Sequence, residues 1–133
     1  MARLDAHAAE LRSARVPVVL ARDYNVAPEA VDVYPTRSYD DNALVQPASR
    51  AAFRRLLDQG WVDALRRVRP EGSAFTFWDY RRNRWPRDAG LRLDHLLLSP
   101  DVADRLTATG SDREVRGAKK PSDHAPVWAT LGA

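Results

Sequence analysis

An apolar run breaks off abruptly in the stretch VPVVLARDYNVAPE, residues 16–29. The run from Val16 to Ala21 is strand-sized, and it ends in Asp23-Tyr24-Asn25. Side chains two apart on a strand point the same way, so Asp23 and Asn25 are expected to face one side together at the strand's end. Such a pair reads either as a capping turn or as half of a metal site. In both cases the strand demands a sheet, and the sheet demands elements to cover it.

The rest of the chain supplies them. Leu4, Ala8 and Leu11 recur at helical spacing and predict a helix over 2–14, which Pro17 brings to an end before a strand over Val18–Ala21. Residues 26–48 show no sustained period and read as a loop. A second helix is expected over Ser49–Gln59, with Ser49 as N-cap, an apolar stripe of Ala52, Phe53, Leu56 and Leu57, and Gly60 as its stop. Trp61–Val68 is ambiguous, Phe75–Tyr80 reads as an aromatic strand, and Leu91–Leu98 as a strong strand ended by Ser99-Pro100. A helical turn over Asp101–Leu106, an edge strand at Val115 and a last strand over Ala125–Leu131 complete the pattern. Strands alternating with helices argue an α/β fold. With no repeat, linker or low-complexity tract, residues 1–133 read as a single unit.

Composition narrows the function classes. Hydrophobic residues make up 44% of the 133 and charged residues 29%, a globular balance. No stretch approaches the roughly 20 apolar residues of a membrane-spanning helix. The opening MARLDAHAAELRSAR mixes acids and bases and does not read as a signal peptide. Without cysteine there is no disulfide and no thiolate metal site, so a cytoplasmic location is expected, with no membrane partner. The net charge of +3 is mild, but Arg81, Arg82, Arg84, Arg87 and Arg92 cluster with Tyr80 and Trp85. Guanidinium groups suit phosphates and rings suit bases, so this is either a nucleic-acid contact or a solvated loop pinned by its aromatics, diluted by Asp79 and Asp88.

Acidic residues in or beside apolar strands carry the chemistry. Asp94 interrupts LRLDHLLL, where an isolated buried carboxylate is costly unless paired. Asp123 and His124 stand just before the last strand in KPSDHAPVW. Asp23, Asn25 and Asp123 offer the oxygen ligands that Mg²⁺ prefers, and Asp94 could orient His124 as a buried carboxylate orients an imidazole. Equally, Asp94 could pair with a nearby arginine, and Ser122-Asp123-His124 could be a plain turn. His95 falls on the opposite strand face from Asp94 and reads as structural.

Taken in order, DYNVAP, TFWDYRRN, GLRLDHLLLSP and KPSDHAPVWATL closely resemble the C-terminal half of the exonuclease III family, within the endonuclease/exonuclease/phosphatase superfamily. The resemblance runs from about residue 10 to the C-terminus. It implies half of a four-layer α/β/β/α sandwich, with one mixed sheet and helices on one face. It implies a DNA repair nuclease that hydrolyses phosphodiesters with Mg²⁺, or with Mn²⁺ in its place, as a 3′-5′ exonuclease and abasic-site endonuclease on double-stranded DNA. The family pattern gives catalytic roles to Asp23, Asn25, Asp94 and His124, and metal contacts to Asp23, Asn25, Asp123 and His124. Phe77, Trp78, Leu91 and Leu93 match positions lining or supporting an abasic-sugar pocket, and Arg81 and Arg82 would hold the backbone.

The chain departs from the family in two places. The upstream half, which supplies a metal-binding glutamate, an asparagine and an active-site tyrosine, has no counterpart here. Full turnover by this chain is therefore not expected, and the alternative reading is an inert DNA-binding or dimerising remnant. A phosphatase or sugar phosphodiesterase of the superfamily is the less favoured third. A sheet covered on one side would expose Val19, Leu93, Leu97 and Val127, inviting a homodimer or a partner N-terminal half. The second departure is Arg22, where the family usually has glycine. Either the backbone there is strained, or the arginine points harmlessly outward.

Overall fold

The computed structural model describes residues 2–133. Helix α1 spans Ala2–Ala14 and is followed by strand β1, Val19–Asp23. Helix α2, Pro47–Asp58, comes after a loop that the structure resolves into three single 3₁₀ turns. Strand β2, Val62–Asp63, runs directly into the short helix α3, Ala64–Val68. Strand β3 is Asp94–Leu98, helix α4 is Pro100–Ala103, and strands β4, Leu106–Ser111, and β5, Val127–Leu131, close the chain.

The expected α/β layering holds, but the sheet is not the single mixed one expected. The strands form two ladders, β1-β3-β2 and β4-β5, and every pairing among the described strands is antiparallel. The β1–β3 register sets Leu20 opposite Leu97, Ala21 opposite Leu96 and Asp23 opposite Asp94. Leu20, Leu97, Tyr24 and His95 therefore turn to the helices, where α1 and α2 cover them with Leu4, Ala8, Leu11, Phe53 and Leu56. Leu98 is buried instead with Ala64, Val102 and Ala103 of α3 and α4.

Several local expectations need correction. The α2 N-cap is Gln46 with Pro47 in the first turn, while Ser49 donates its hydroxyl to the Ala43 carbonyl at 2.8 Å. Gly60 does stop the helix, at φ +103. Phe75–Tyr80 is no strand: Phe77 makes isolated bridges to Leu91 and His124, and the segment then turns away. Val115 lies in a 3₁₀ turn over Arg113–Gly117 rather than on an edge. Strand β4 was not anticipated, because after Leu106 the segment LTATGS holds only small and polar residues. The exposed apolar face is also much smaller than expected. Leu93 and Leu97 are fully buried, Val127 is half-buried, and Val19 alone of the four remains exposed.

Beneath β3 lies a charge network that the sequence did not announce. Arg92 is 2% exposed and donates to Asp32 at 2.7 Å and to Asp63 at 2.9 Å. Arg66 adds a 2.6 Å bond to Asp32. Burial pushes the Asp32 carboxyl up, but the hydrogen bonds and charges of Arg92 and Arg66 together outweigh it and hold it below the usual carboxylate range.

His95, as expected, is structural. Its Nε2 contacts the Val26 carbonyl at 2.9 Å, and its ring packs on Tyr24 and Phe53. Burial, with the nearby Arg92 charge, pulls its pKa down to about 4 from 6.5. Below pH 6.5 the unfolded chain takes up a proton that the folded chain refuses. The stability from a neutral His95 is thus complete above 6.5 and lost as pH falls toward 4, a loss of roughly 3 kcal/mol. Urea unfolding at pH 7 and pH 4.5 should show this loss, and His95→Gln should remove most of it. An unchanged pH dependence in the variant would rule the account out.

Candidate active site

The site begins with strand register. Because Asp23 and Asp94 are directly opposed on antiparallel neighbours, their carboxylates leave the same face of the sheet. Two like charges there repel unless something stands between them. His124 does: its Nδ1 lies 2.8 Å from Asp94 Oδ2, and its Nε2 lies 3.6 Å from Asp23 Oδ2. Asp123 adds a third carboxylate, 3.9 Å from the same Nε2. The proposed arginine partner for Asp94 is thus replaced by the histidine.

Thr76 and its neighbours hold these groups together. The Thr76 hydroxyl accepts from the backbone N–H of Leu93 and of Asp94, at 3.0 and 3.1 Å. The Thr76 carbonyl accepts from Ala125 N–H, and Trp78 N–H donates to the Asp123 carbonyl. Residues 76–78 therefore lie between β3 and the 123–125 segment and tie both to one frame. His124 N–H donates to Ser122 Oγ, so the expected turn exists alongside the site rather than instead of it.

The hydrogen bond to Asp94, the largest influence, raises the His124 pKa against the opposing effect of burial, and the charges of Asp94, Asp23 and Asp123 add to the rise. An Asp94 carboxylate accepting from Nδ1–H leaves Nε2 as the nitrogen facing Asp23 and Asp123. Asp23, Asp94 and His124 offer ligand atoms all within 4.8 Å of one another. Three carboxylates around one imidazole are an excess of negative charge, and their hard oxygens suit a small divalent cation.

Asn25 departs from the expected geometry. Its φ is +52, outside the strand, and its N–H donates to Asp23 Oδ1 at 2.8 Å. The two side chains are related by an Asx turn, not by strand alternation. The capping turn and the site, posed as alternatives, are one object here. Arg22 is unstrained: it pairs in register with His95 and is absent from the positive-φ residues.

Of the residues assigned to a sugar pocket, Phe77 reaches the site, its ring 5.1 Å from that of His124. Trp78, Leu91 and Leu93 are buried. Trp78 packs edge-on against Trp85 and donates Nε1–H to Asp88, while Leu91 and Leu93 sit in a cluster with Ala27 and Tyr39. They back the wall and do not offer a contact surface.

The arginine patch shrinks in the same way. Arg92 is buried as described, and Arg84 is buried over the Tyr39 ring with a bond to Ser38 Oγ. Arg81, Arg82 and Arg87 remain exposed, with Arg81 bound to Asp79 at 3.1 Å. Arg116, which sequence gave no reason to single out, donates to the carbonyls of Trp78 and Asp79 and lies 4.9 Å from the Tyr80 ring. Tyr80 in turn donates to the Pro121 carbonyl at 2.7 Å. These contacts tie Trp78, Asp79 and Tyr80 to Arg116 and Pro121.

An α/β chain with a carboxylate–imidazole–carboxylate cluster at its strand ends carries groups that can bind a cation and move a proton. The chain belongs to the Endonuclease/Exonuclease/phosphatase family, whose model matches residues 1–124. It is 33% identical to exodeoxyribonuclease III of Haemophilus influenzae, across 85% of this chain and 45% of that protein. It is 35% identical to the DNA repair nuclease APEX1 of Danio rerio, across 89% of this chain and 37% of that one. A 3′ phosphatase from Neisseria, solved with a product DNA hairpin, superposes with a TM-score of 0.94 at 36% identity, over 99% of this chain and 51% of its own. An AP endonuclease from Archaeoglobus fulgidus gives 0.91 at 33% identity, over 99% and 52%. The chain spans about half the length of these relatives or less. No helix among the described residues is long and apolar enough to cross a membrane.

Proposed function

We propose that this chain forms the catalytic C-terminal portion of an Mg²⁺-dependent DNA repair nuclease of the exodeoxyribonuclease III type, acting on phosphodiesters of double-stranded DNA. The observation that carries this reading is the single imidazole gripped by Asp94 and facing Asp23. Asp23, Asp123 and the exposed Asn25 side chain would hold the metal, with His124 Nε2 beside them. When bound, Mg²⁺ supplies positive charge for in-line displacement at phosphorus.

The chain's own groups would contribute two further roles. Asp23, with Oδ1 occupied by the Asn25 N–H, keeps Oδ2 to accept a proton from the attacking water. His124, oriented through Nδ1–H by Asp94 and biased toward its charged form, presents Nε2–H to a phosphoryl oxygen as negative charge develops. Phe77 would close one side of the site, and the exposed Arg81, Arg82 and Arg87 would meet backbone phosphates.

The test uses the purified 133-residue chain and duplex DNA with one abasic-site analogue. Weak cleavage with Mg²⁺, well short of full turnover and lost in EDTA and in Asp23→Ala, is expected from this reading. A folded sample that binds DNA in a salt-sensitive way yet leaves the strand intact in Mg²⁺ would instead make the chain an inert binder.

A further inference from the structure

Arg22 occupies a position where the family pattern has glycine, and its surroundings suggest a use for it. It lines a cleft of about 410 Å³ together with Asp23, Asp94, Ser122 and His124. Its Nε donates to the Asp23 carbonyl at 3.1 Å, and its guanidinium lies 5.6 Å from the Tyr24 ring. Among the described residues no carboxylate pairs with it, although three carboxylates crowd the adjacent cluster. A guanidinium steadied through Nε alone keeps its two terminal nitrogens for an outside acceptor. It is exposed, and it stands at the strand end next to the Asn25 turn.

We infer that Arg22 is a phosphate-binding residue of this particular chain, gripping a DNA phosphate at the mouth of the cleft through its two terminal nitrogens. The inference deepens the nuclease reading and rests on it. A planar fork matches two phosphate oxygens, whereas a glycine at the same place offers only backbone. The acceptor is either a backbone diester or a terminal 3′-phosphate, which share the chemistry.

Fluorescence anisotropy in EDTA, over a range of salt, decides the matter with two labelled duplexes ending in a 3′-hydroxyl or a 3′-phosphate. Arg22→Gly should weaken binding about fivefold and reduce the slope of log affinity against log salt by about 0.9. Arg22→Lys should keep the slope and lose only part of the affinity, because it keeps the charge without the fork. A loss confined to the 3′-phosphate duplex assigns the terminal group, and an equal loss on both assigns the backbone. Wild-type affinity and slope in a folded Arg22→Gly protein would overturn the inference and leave the nuclease reading standing. Absence of salt-dependent binding by the wild-type chain would bring down both.

Discussion

Arg92→Met is expected to destabilise the chain by about 3–5 kcal/mol, enough to remove most of the stability of a small domain. Among the described residues, Arg92 is the only group that touches both Asp32 and Asp63. Removing it leaves Asp63 without a cation and Asp32 with Arg66 alone, both carboxylates being buried. The cost comes from stranded charge rather than from the lost pair itself, because a buried pair contributes little net once desolvation is counted. Two further variants separate these causes. Adding Asp32→Asn and Asp63→Asn to Arg92→Met removes the stranded charges, and most of the stability should return. Urea midpoints measure the series, and a single-variant loss below about 1 kcal/mol would contradict the network's assigned role.

The second large effect concerns His124. In any preparation containing this chain that cleaves DNA, His124→Ala should lower the cleavage rate by about 10²–10⁴-fold, the usual range for a positioned acid or base. Asp94→Asn should cost about 10–100-fold, because it acts through the orientation and charge of His124 rather than on the phosphate. The ranking matters as much as the size. If Asp94→Asn proved more damaging than His124→Ala, Asp94 would have to touch the substrate or metal itself. A His124→Ala rate within a factor of a few of wild type would remove the imidazole from the chemistry.

How much of this was legible in the sequence depends on the kind of signal. Asp23, Asp94 and His124 were readable because each is a polar residue set in or against an apolar run, where an unpaired group is costly. Their mutual contact follows from register, which a single strand does not reveal. Asn25 was misplaced because strand alternation was carried two residues past the strand's real end, into a left-handed turn. Arg92 was read as surface charge. Its burial depends on Asp32 and Asp63, some 60 and 29 residues earlier in the chain, and no local pattern reports partners at that distance. Leu93 and Leu97 were assigned to an open face because the covering helices could not be placed over one side or the other. Strand β4 escaped because its small and polar residues fit a strand only through their pairing with β5.

The register of β1 on β3 acts as a reading frame for charge. It is fixed by oily contacts, Leu20 and Leu97 against the helices, that have no part in any reaction. Slid by one residue, the same ladder would set Arg22 rather than Asp23 across from Asp94. The two would then neutralise each other, and the imidazole would lose its second carboxylate. The distance between an inert ion pair and a reactive cluster is therefore a single step along one strand, and ordinary leucine packing keeps the chain on the right side of it.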